Sequence, residues 1–127
     1  MTEIQILALY GLLVILNLIL QATGAFTQLG MGYLLSSRDE HRTVRGIAGR
    51  LNRALDNSVV AMVLFAPAVL LHVITGSTSN QTLLAAQAFL IARLVYLPAY
   101  AFGITGLRTL AWMVGIVATT TLYLLAL

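Results

Sequence analysis

The apolar segment LLAAQAFLIARLVYLPAY, residues 83–100, is long enough to cross a bilayer and carries an arginine, Arg93, in its interior. On a helix, Arg93, Tyr96 and Tyr100 share one face because they are spaced by three and four residues. A charge near the bilayer centre costs at least about 2.5–3.5 kcal/mol on insertion scales, so it normally faces the interior of a helix bundle. We therefore expect the function of the molecule to lie around this face.

The composition of the whole chain is that of an integral membrane protein. Of its 127 residues, 60% are hydrophobic and only 9% are charged, whereas soluble domains carry about 25% charged residues. The absence of cysteine excludes a protein thiol as nucleophile or metal ligand. All seven basic residues are arginines, and most lie beside apolar segments, so membrane topology explains the net charge of +3 better than nucleic-acid binding does.

Four apolar segments separated by polar turns predict four transmembrane helices and leave no room for a soluble domain. No charged residue occurs between positions 4 and 37 or between positions 57 and 92, and the polar run at 75–82 divides the second stretch. The turn GITG at 103–106 ends the third helix. We predict a single all-α transmembrane domain over residues 1–127, a four-helix bundle with helices at about 4–35, 50–75, 82–103 and 107–127.

The arginines lie on one side of these predicted helices. Five of the seven fall between the first and second helices, and Arg108 falls on the same side, whereas the other side has Glu3 and an uncharged loop. Cytoplasmic loops carry an excess of basic residues. The sequence therefore predicts a multi-pass protein in the lipid bilayer, with the loop 36–49 in the cytosol and both termini in the periplasm or lumen.

The first two predicted helices carry polar residues within their apolar segments: a stripe on the first helix and one histidine on the second. On the first helix, the stripe formed by Asn17, Gln21, Gly24 and Gln28 is expected to face other helices, because lipid offers amides no hydrogen-bond partner. His72, near the outer end of the second helix, has no second histidine or carboxylate beside it in sequence. We interpret it as an interfacial residue, and we predict no metal site.

The second and third helices bring arginines together in the cytosolic half of the membrane. Arg50, Arg53 and Asn57 share one face at the start of the second helix, and the third helix runs toward the same side. Guanidinium groups and phenols around a buried space favour anion binding, because arginine offers fixed donors suited to carboxylates. The alternatives are structural ion pairs for the arginines and interfacial anchoring for the tyrosines.

Two of these patterns resemble the signatures of the MAPEG superfamily, the membrane-associated proteins in eicosanoid and glutathione metabolism. The run RLNRALDN at 50–57 resembles R-x-x-R-A-x-x-N. The run ARLVYLPAY at 92–100, with Arg108 downstream, resembles A-R-x-x-Y-x-x-x-Y followed by an arginine. The runs GYLLSSRDE at 32–40 and LPAYAFGI at 97–104 are similar to the short bacterial branch, which implies a bacterial inner membrane.

The resemblance implies a homotrimer of four-helix protomers with glutathione as co-substrate, bound between neighbouring subunits. Arg108 matches the arginine that holds the glutathione sulfur as a thiolate, since a nearby guanidinium lowers a thiol pKa. Arg93 and Arg50 match buried arginines with a structural role. The resemblance implies that the remaining glutathione contacts come from Arg53, Asn57, Tyr96, Tyr100 and, through the first loop, Arg38.

One position departs from the superfamily pattern. The signature continues N-x-x-E, and its glutamate contacts the glutathione amino group, but this chain has Val60 there. A buried ammonium without a charged partner binds more weakly, and Asp56, one helical turn away, is a partial substitute.

Two functions stay open from the sequence. The first is a membrane-bound glutathione transferase or peroxidase acting on lipophilic electrophiles. The second is a catalytically inactive MAPEG-fold subunit or scaffold that contacts other membrane proteins. A small transporter is disfavoured because the acidic residues lie at the edges of the spans.

Overall fold

The computed structural model of the chain describes residues 1–36 and 43–127, and all of its regular elements are helices. They are α1 (Glu3–Leu29), the short α2 (Met31–Leu34), α3 (Gly46–Thr75), α4 (Asn80–Ala101) and α5 (Thr105–Ala126). The helices α1, α3, α4 and α5 are each long and apolar enough to cross a membrane. The predicted all-α fold with four transmembrane helices is therefore confirmed.

The ends of the helices follow local sequence signals. Thr2 and Ser79 form capping boxes at the starts of α1 and α4, in which each side-chain oxygen accepts a hydrogen bond from a backbone N–H three residues on. Gly76 ends α3 in the left-handed conformation, with φ of 67°, which glycine adopts without steric cost.

The helix bounds differ from the sequence expectation in two places. The first helix, expected to be continuous over 4–35, is interrupted at Gly30, whose φ of 84° and ψ of 154° are not helical. The second transmembrane helix begins at Gly46 rather than at position 50, because the small and apolar residues 46–49 already form its first turn. The third and fourth begin and end within two residues of the expected positions.

The four long helices form a bundle with two distinguishable ends. At the terminal end, a hydrogen bond between Glu3 and Thr82 joins α1 to α4, and one between His72 and Leu122 joins α3 to α5. At the loop end, which contains the connection between α1 and α3 and the turn between α4 and α5, Arg50 donates to the carbonyl of Ala101. An apolar core cluster fills the terminal half, and a smaller one around Leu51, Ala54 and Tyr96 fills the loop half.

The polar stripe of α1 faces α3, as predicted. A Cβ on Gly24 would lie 2.7 Å from the Cβ of Ala48, so only glycine permits this approach of the two helices. The Gln28 amide donates to the Arg45 carbonyl and accepts from the Arg45 N–H, at 2.9 and 2.8 Å. These contacts fix the start of α3, which carries the first arginine motif, against α1.

Candidate functional site

Arg93 lies inside the bundle, with only 3% of its surface exposed. Its two terminal nitrogens donate to Asn57 Oδ1 at 2.8 Å and to Ser58 Oγ at 2.9 Å, so it joins α4 to α3. Hydrogen bonds to charged donors are stronger than neutral ones. Arg93 is therefore a buried residue whose side chain links α4 to α3.

Two residues of α1 complete the polar network around Ser58. The Tyr10 hydroxyl donates to the Ser58 carbonyl at 2.8 Å, and the Asn17 amide lies 3.3 Å from the Ser58 hydroxyl. Both residues are buried. Buried polar groups are normally hydrogen-bonded, and here Ser58 serves three helices at once. Ser58 is not among the predicted site residues, although it directly follows Asn57 of the arginine motif.

Arg93, Tyr96, Tyr100 and Arg108 form a row in which the two cations enclose two aromatic rings. The Arg93 guanidinium carbon lies 4.1 Å from the centre of the Tyr96 ring, and the two tyrosine ring centres are 5.5 Å apart. The Arg108 guanidinium carbon lies 4.6 Å from the centre of the Tyr100 ring. Contacts of this kind, within about 6 Å, are attractive. The helical face predicted from spacing is thus extended to α5.

Arg108 is the member of the row that is open to a ligand. It is half-buried and lines a cavity of about 110 Å³ together with Tyr96, Thr109 and Trp112. Within residues 1–36 and 43–127 it makes no hydrogen bond and no ion pair, and its contact is the face of Tyr100. An anion entering this cavity would therefore meet a guanidinium whose donors are available.

The remaining sequence-predicted residues of α3 do not join this row. Arg53 is exposed and lines a separate pocket of about 410 Å³ between α1 and α3. Arg50 is half-buried and is held by the Ala101 carbonyl at 2.8 Å. Asp56 and Val60 lie one helical turn apart and are both exposed, and Val60 borders a small cavity beside Arg93. Arg38 lies outside the described residues.

The interpretation of His72 as an interfacial residue is wrong, because its side chain is only 1% exposed. Its Nδ1 lies 2.9 Å from Ser77 Oγ and its Nε2 lies 2.7 Å from the Leu122 carbonyl. Ser77 lies in the turn that follows α3, whereas the Leu122 carbonyl comes from the packing of α5 against α3, which the spacing of polar residues in the sequence does not encode. Among the described residues, no group of three or more histidines and acidic side chains is arranged to hold a metal ion.

Comparison with known proteins identifies one family. The model of the MAPEG family matches residues 6–127. No curated protein and no solved structure matches the chain significantly. The matched region contains both arginine motifs, the network around Arg93 and nearly all of the four transmembrane helices. The chain therefore belongs to the MAPEG family.

Proposed function

We propose that this protein is a glutathione-dependent membrane enzyme, a transferase or peroxidase acting on lipophilic electrophiles, in which Arg108 holds the glutathione thiolate. The observation that carries the proposal is the half-buried Arg108 guanidinium, which lines a cavity and has no acidic partner among the described residues. A nearby cation favours the charged form of a thiol and lowers its pKa. The chain has no cysteine, so a thiolate nucleophile has to come from the ligand.

The transferase reaction needs little more than a positioned thiolate. The thiol proton passes to water when the thiolate forms beside Arg108. The sulfur then attacks an electrophilic carbon, a carbon–sulfur bond forms, and the bond to the leaving group breaks with its electron pair. An apolar groove of about 390 Å³ between α4 and α5 includes Leu107, the residue before Arg108, which supports a lipophilic second substrate.

The proposal includes a homotrimer. Arg53 and Arg108 line different cavities of the same chain, on the α1–α3 side and the α4–α5 side. If both contact one glutathione molecule, as the resemblance implies, the site combines residues of two neighbouring copies. Native mass measurement in mild detergent should then show three copies, and a monomer that still binds glutathione would contradict this arrangement.

The proposal also places the loop end of the bundle in the cytosol. Arg45, Arg50, Arg53 and Arg108 all lie at this end, and the positive-inside rule assigns such an end to the cytosol. Because the protein has no cysteine, single cysteines at Ser36 and Thr78 give labelling without background. They should react from opposite sides of the membrane, with Ser36 on the cytosolic side.

The central test measures thiolate formation on purified protein. Glutathione added to the protein should produce the ultraviolet absorbance of a bound thiolate at neutral pH. Arg108→Ala should reduce conjugation of an activated aryl chloride by about 100-fold or more, the effect of removing a donor to a developing anion. The matched variant Arg108→Lys keeps the charge and should retain part of the signal. Unchanged thiolate absorbance in Arg108→Ala would contradict the role of Arg108.

Val60 favours a second candidate function, a MAPEG-fold subunit or scaffold without glutathione chemistry. In the resemblance, a glutamate at this position contacts the glutathione ammonium, and valine offers no such partner. Val60→Glu should tighten glutathione binding by about 2 kcal/mol, the range of a hydrogen bond to a charged group, or roughly 30-fold in Kd. Val60→Gln is the matched neutral control. If neither the natural chain nor Val60→Glu binds glutathione in calorimetry, the second candidate function, a subunit or scaffold without glutathione chemistry, is correct.

A further inference from the structure

A small, partly open cavity lies between α3, α4 and α5, directly beside Arg93. We call it the Arg93 cavity; its walls include Asn57, Val60, Phe89, Arg93, Trp112 and Gly115. Its volume is about 30 Å³. One ordered water needs about 10–15 Å³ of such space, so the cavity has room for one small ligand.

The polar groups at this cavity are hydrogen-bond donors. Arg93 Nε is fully buried. Among the described residues, it is the only fully buried side-chain nitrogen or oxygen without a hydrogen-bond partner. Asn57 uses its oxygen to accept from Arg93, which leaves the two N–H groups of its amide without a partner among the described residues. The Thr119 hydroxyl donates to the Gly115 carbonyl and is already used. The walls therefore favour a ligand that accepts hydrogen bonds.

The cavity also carries an uncompensated positive charge. Arg93 contacts the neutral side chains of Asn57 and Ser58 and the rings of Tyr96 and Tyr10. Of the two described acidic residues, Glu3 accepts from Thr82 at the terminal end of the bundle, and Asp56 lies on the outward side of α3. A buried charge without a counter-charge is costly.

We infer that the Arg93 cavity binds one small monovalent anion of the halide type as the counter-ion of Arg93. Both the size of the cavity and its free donors fit such an ion, which accepts hydrogen bonds from every direction. Val60 lines the same cavity and is 58% exposed, so a longer side chain at this position has room to turn toward Arg93. The bound anion takes the place that a carboxylate at position 60 would fill.

The first test compares unfolding temperatures of the purified protein in sodium chloride, sodium bromide and sodium gluconate at equal ionic strength, without glutathione. Chloride and bromide should raise the unfolding temperature saturably, because a ligand that binds only the folded state stabilises it, and gluconate is too large for the cavity. Val60→Glu supplies its own carboxylate and should lose the halide effect. Val60→Gln, the matched neutral variant, should keep it.

The second test uses Trp112, the only tryptophan of the chain and a wall of the cavity. Bromide should quench its fluorescence with a saturable component that chloride competes away in the natural chain and in Val60→Gln. The component should be absent in Val60→Glu.

Two results would overturn the inference. One is an unfolding temperature that is the same in halide and gluconate, which means that water alone fills the cavity. The other is a halide effect that persists in Val60→Glu. Since glutathione is absent throughout, either result leaves the proposed enzyme function untouched.

Discussion

At the terminal end of the bundle, His72 is engaged through both ring nitrogens and Glu3 accepts a hydrogen bond from Thr82, whereas at the loop end the Arg108 guanidinium stacks on Tyr100 and has no hydrogen-bond partner among the described residues. Both ends carry ionisable groups within apolar helices. At the terminal end the chain itself supplies the partners. At the loop end, and in the adjoining Arg93 cavity, donors remain without partners among the described residues.

This difference distinguishes polar groups that stabilise the fold from polar groups whose hydrogen-bonding capacity is available to a ligand. A buried polar group with partners in the chain stabilises the fold, and removing one partner leaves the other unsatisfied at a cost of about 1–3 kcal/mol. A charged group without a partner contributes little to stability, so its presence in a membrane protein indicates function. Substitutions at the terminal end should therefore lower the free energy of unfolding, whereas substitutions at Arg108 should lower the proposed glutathione activity.

The largest effect on stability is expected from His72→Ala. The variant loses two hydrogen bonds and leaves a hollow where the imidazole packed, so the free energy of unfolding should fall by about 2–4 kcal/mol. Chemical denaturation in detergent measures this. Thiolate formation at Arg108 should be unchanged in the fraction that remains folded. Loss of glutathione binding with normal stability would show that His72 belongs to the glutathione site, and would contradict the distinction between the two ends of the bundle.

A smaller loss is expected from Thr82→Val, which keeps the shape of the side chain but removes the donor to Glu3 Oε1 at 2.8 Å. The same substitution removes the acceptor for the Ser79 N–H in the capping box. We expect a loss of about 1–2 kcal/mol in the same denaturation experiment. Thr82→Ser restores the hydroxyl and should recover most of it, whereas an equal loss in both variants would point to packing instead.

The smallest stability effect is expected from Arg108→Ala, the variant that should most reduce the proposed chemistry. It removes one cation–ring contact with Tyr100, which at a partly exposed position contributes about 0.5–1 kcal/mol. The unfolding curve should therefore remain close to that of the natural chain. A loss as large as that of His72→Ala would show that Arg108 is a structural residue.

The sequence predicted the loop end of the molecule better than the terminal end. Spacing of three and four residues was sufficient to place Arg93, Tyr96 and Tyr100 on one face, because a helix converts such spacing directly into a surface. Of the two partners of His72, Ser77 is five residues away but Leu122 is 50 residues away, and Thr82, the partner of Glu3, is 79 residues away. Pairs between residues so far apart in the chain depend on how the helices pack, and no local sequence pattern predicts them.

The neighbour that the Arg53 side chain meets is not predicted by its spacing in the motif. Motif spacing places it on the helix face of Asn57, yet its side chain lines the pocket on the α1–α3 side. Spacing gives the direction of a residue around its own helix, but not which neighbouring helix it meets. The interruption of the first helix at Gly30 had a local signal, because two glycines at positions 30 and 32 indicate close packing or local bending.

The aromatic cluster between the two ends has a consequence for ion permeability. The rings of Phe65 and Phe89 are stacked with centres 3.8 Å apart, and Tyr10 meets Phe89 edge-on at 4.8 Å. Phe65 lies two helical turns from His72 on α3, and Phe89 one turn from Arg93 on α4, so the rings separate the two polar regions. Three packed, buried rings form an apolar barrier between these polar regions, and apolar surroundings disfavour a chain of water along which a proton could move. The protein should therefore leave the electrical resistance of its membrane intact, and vesicles that contain it should hold a pH gradient as long as protein-free vesicles do.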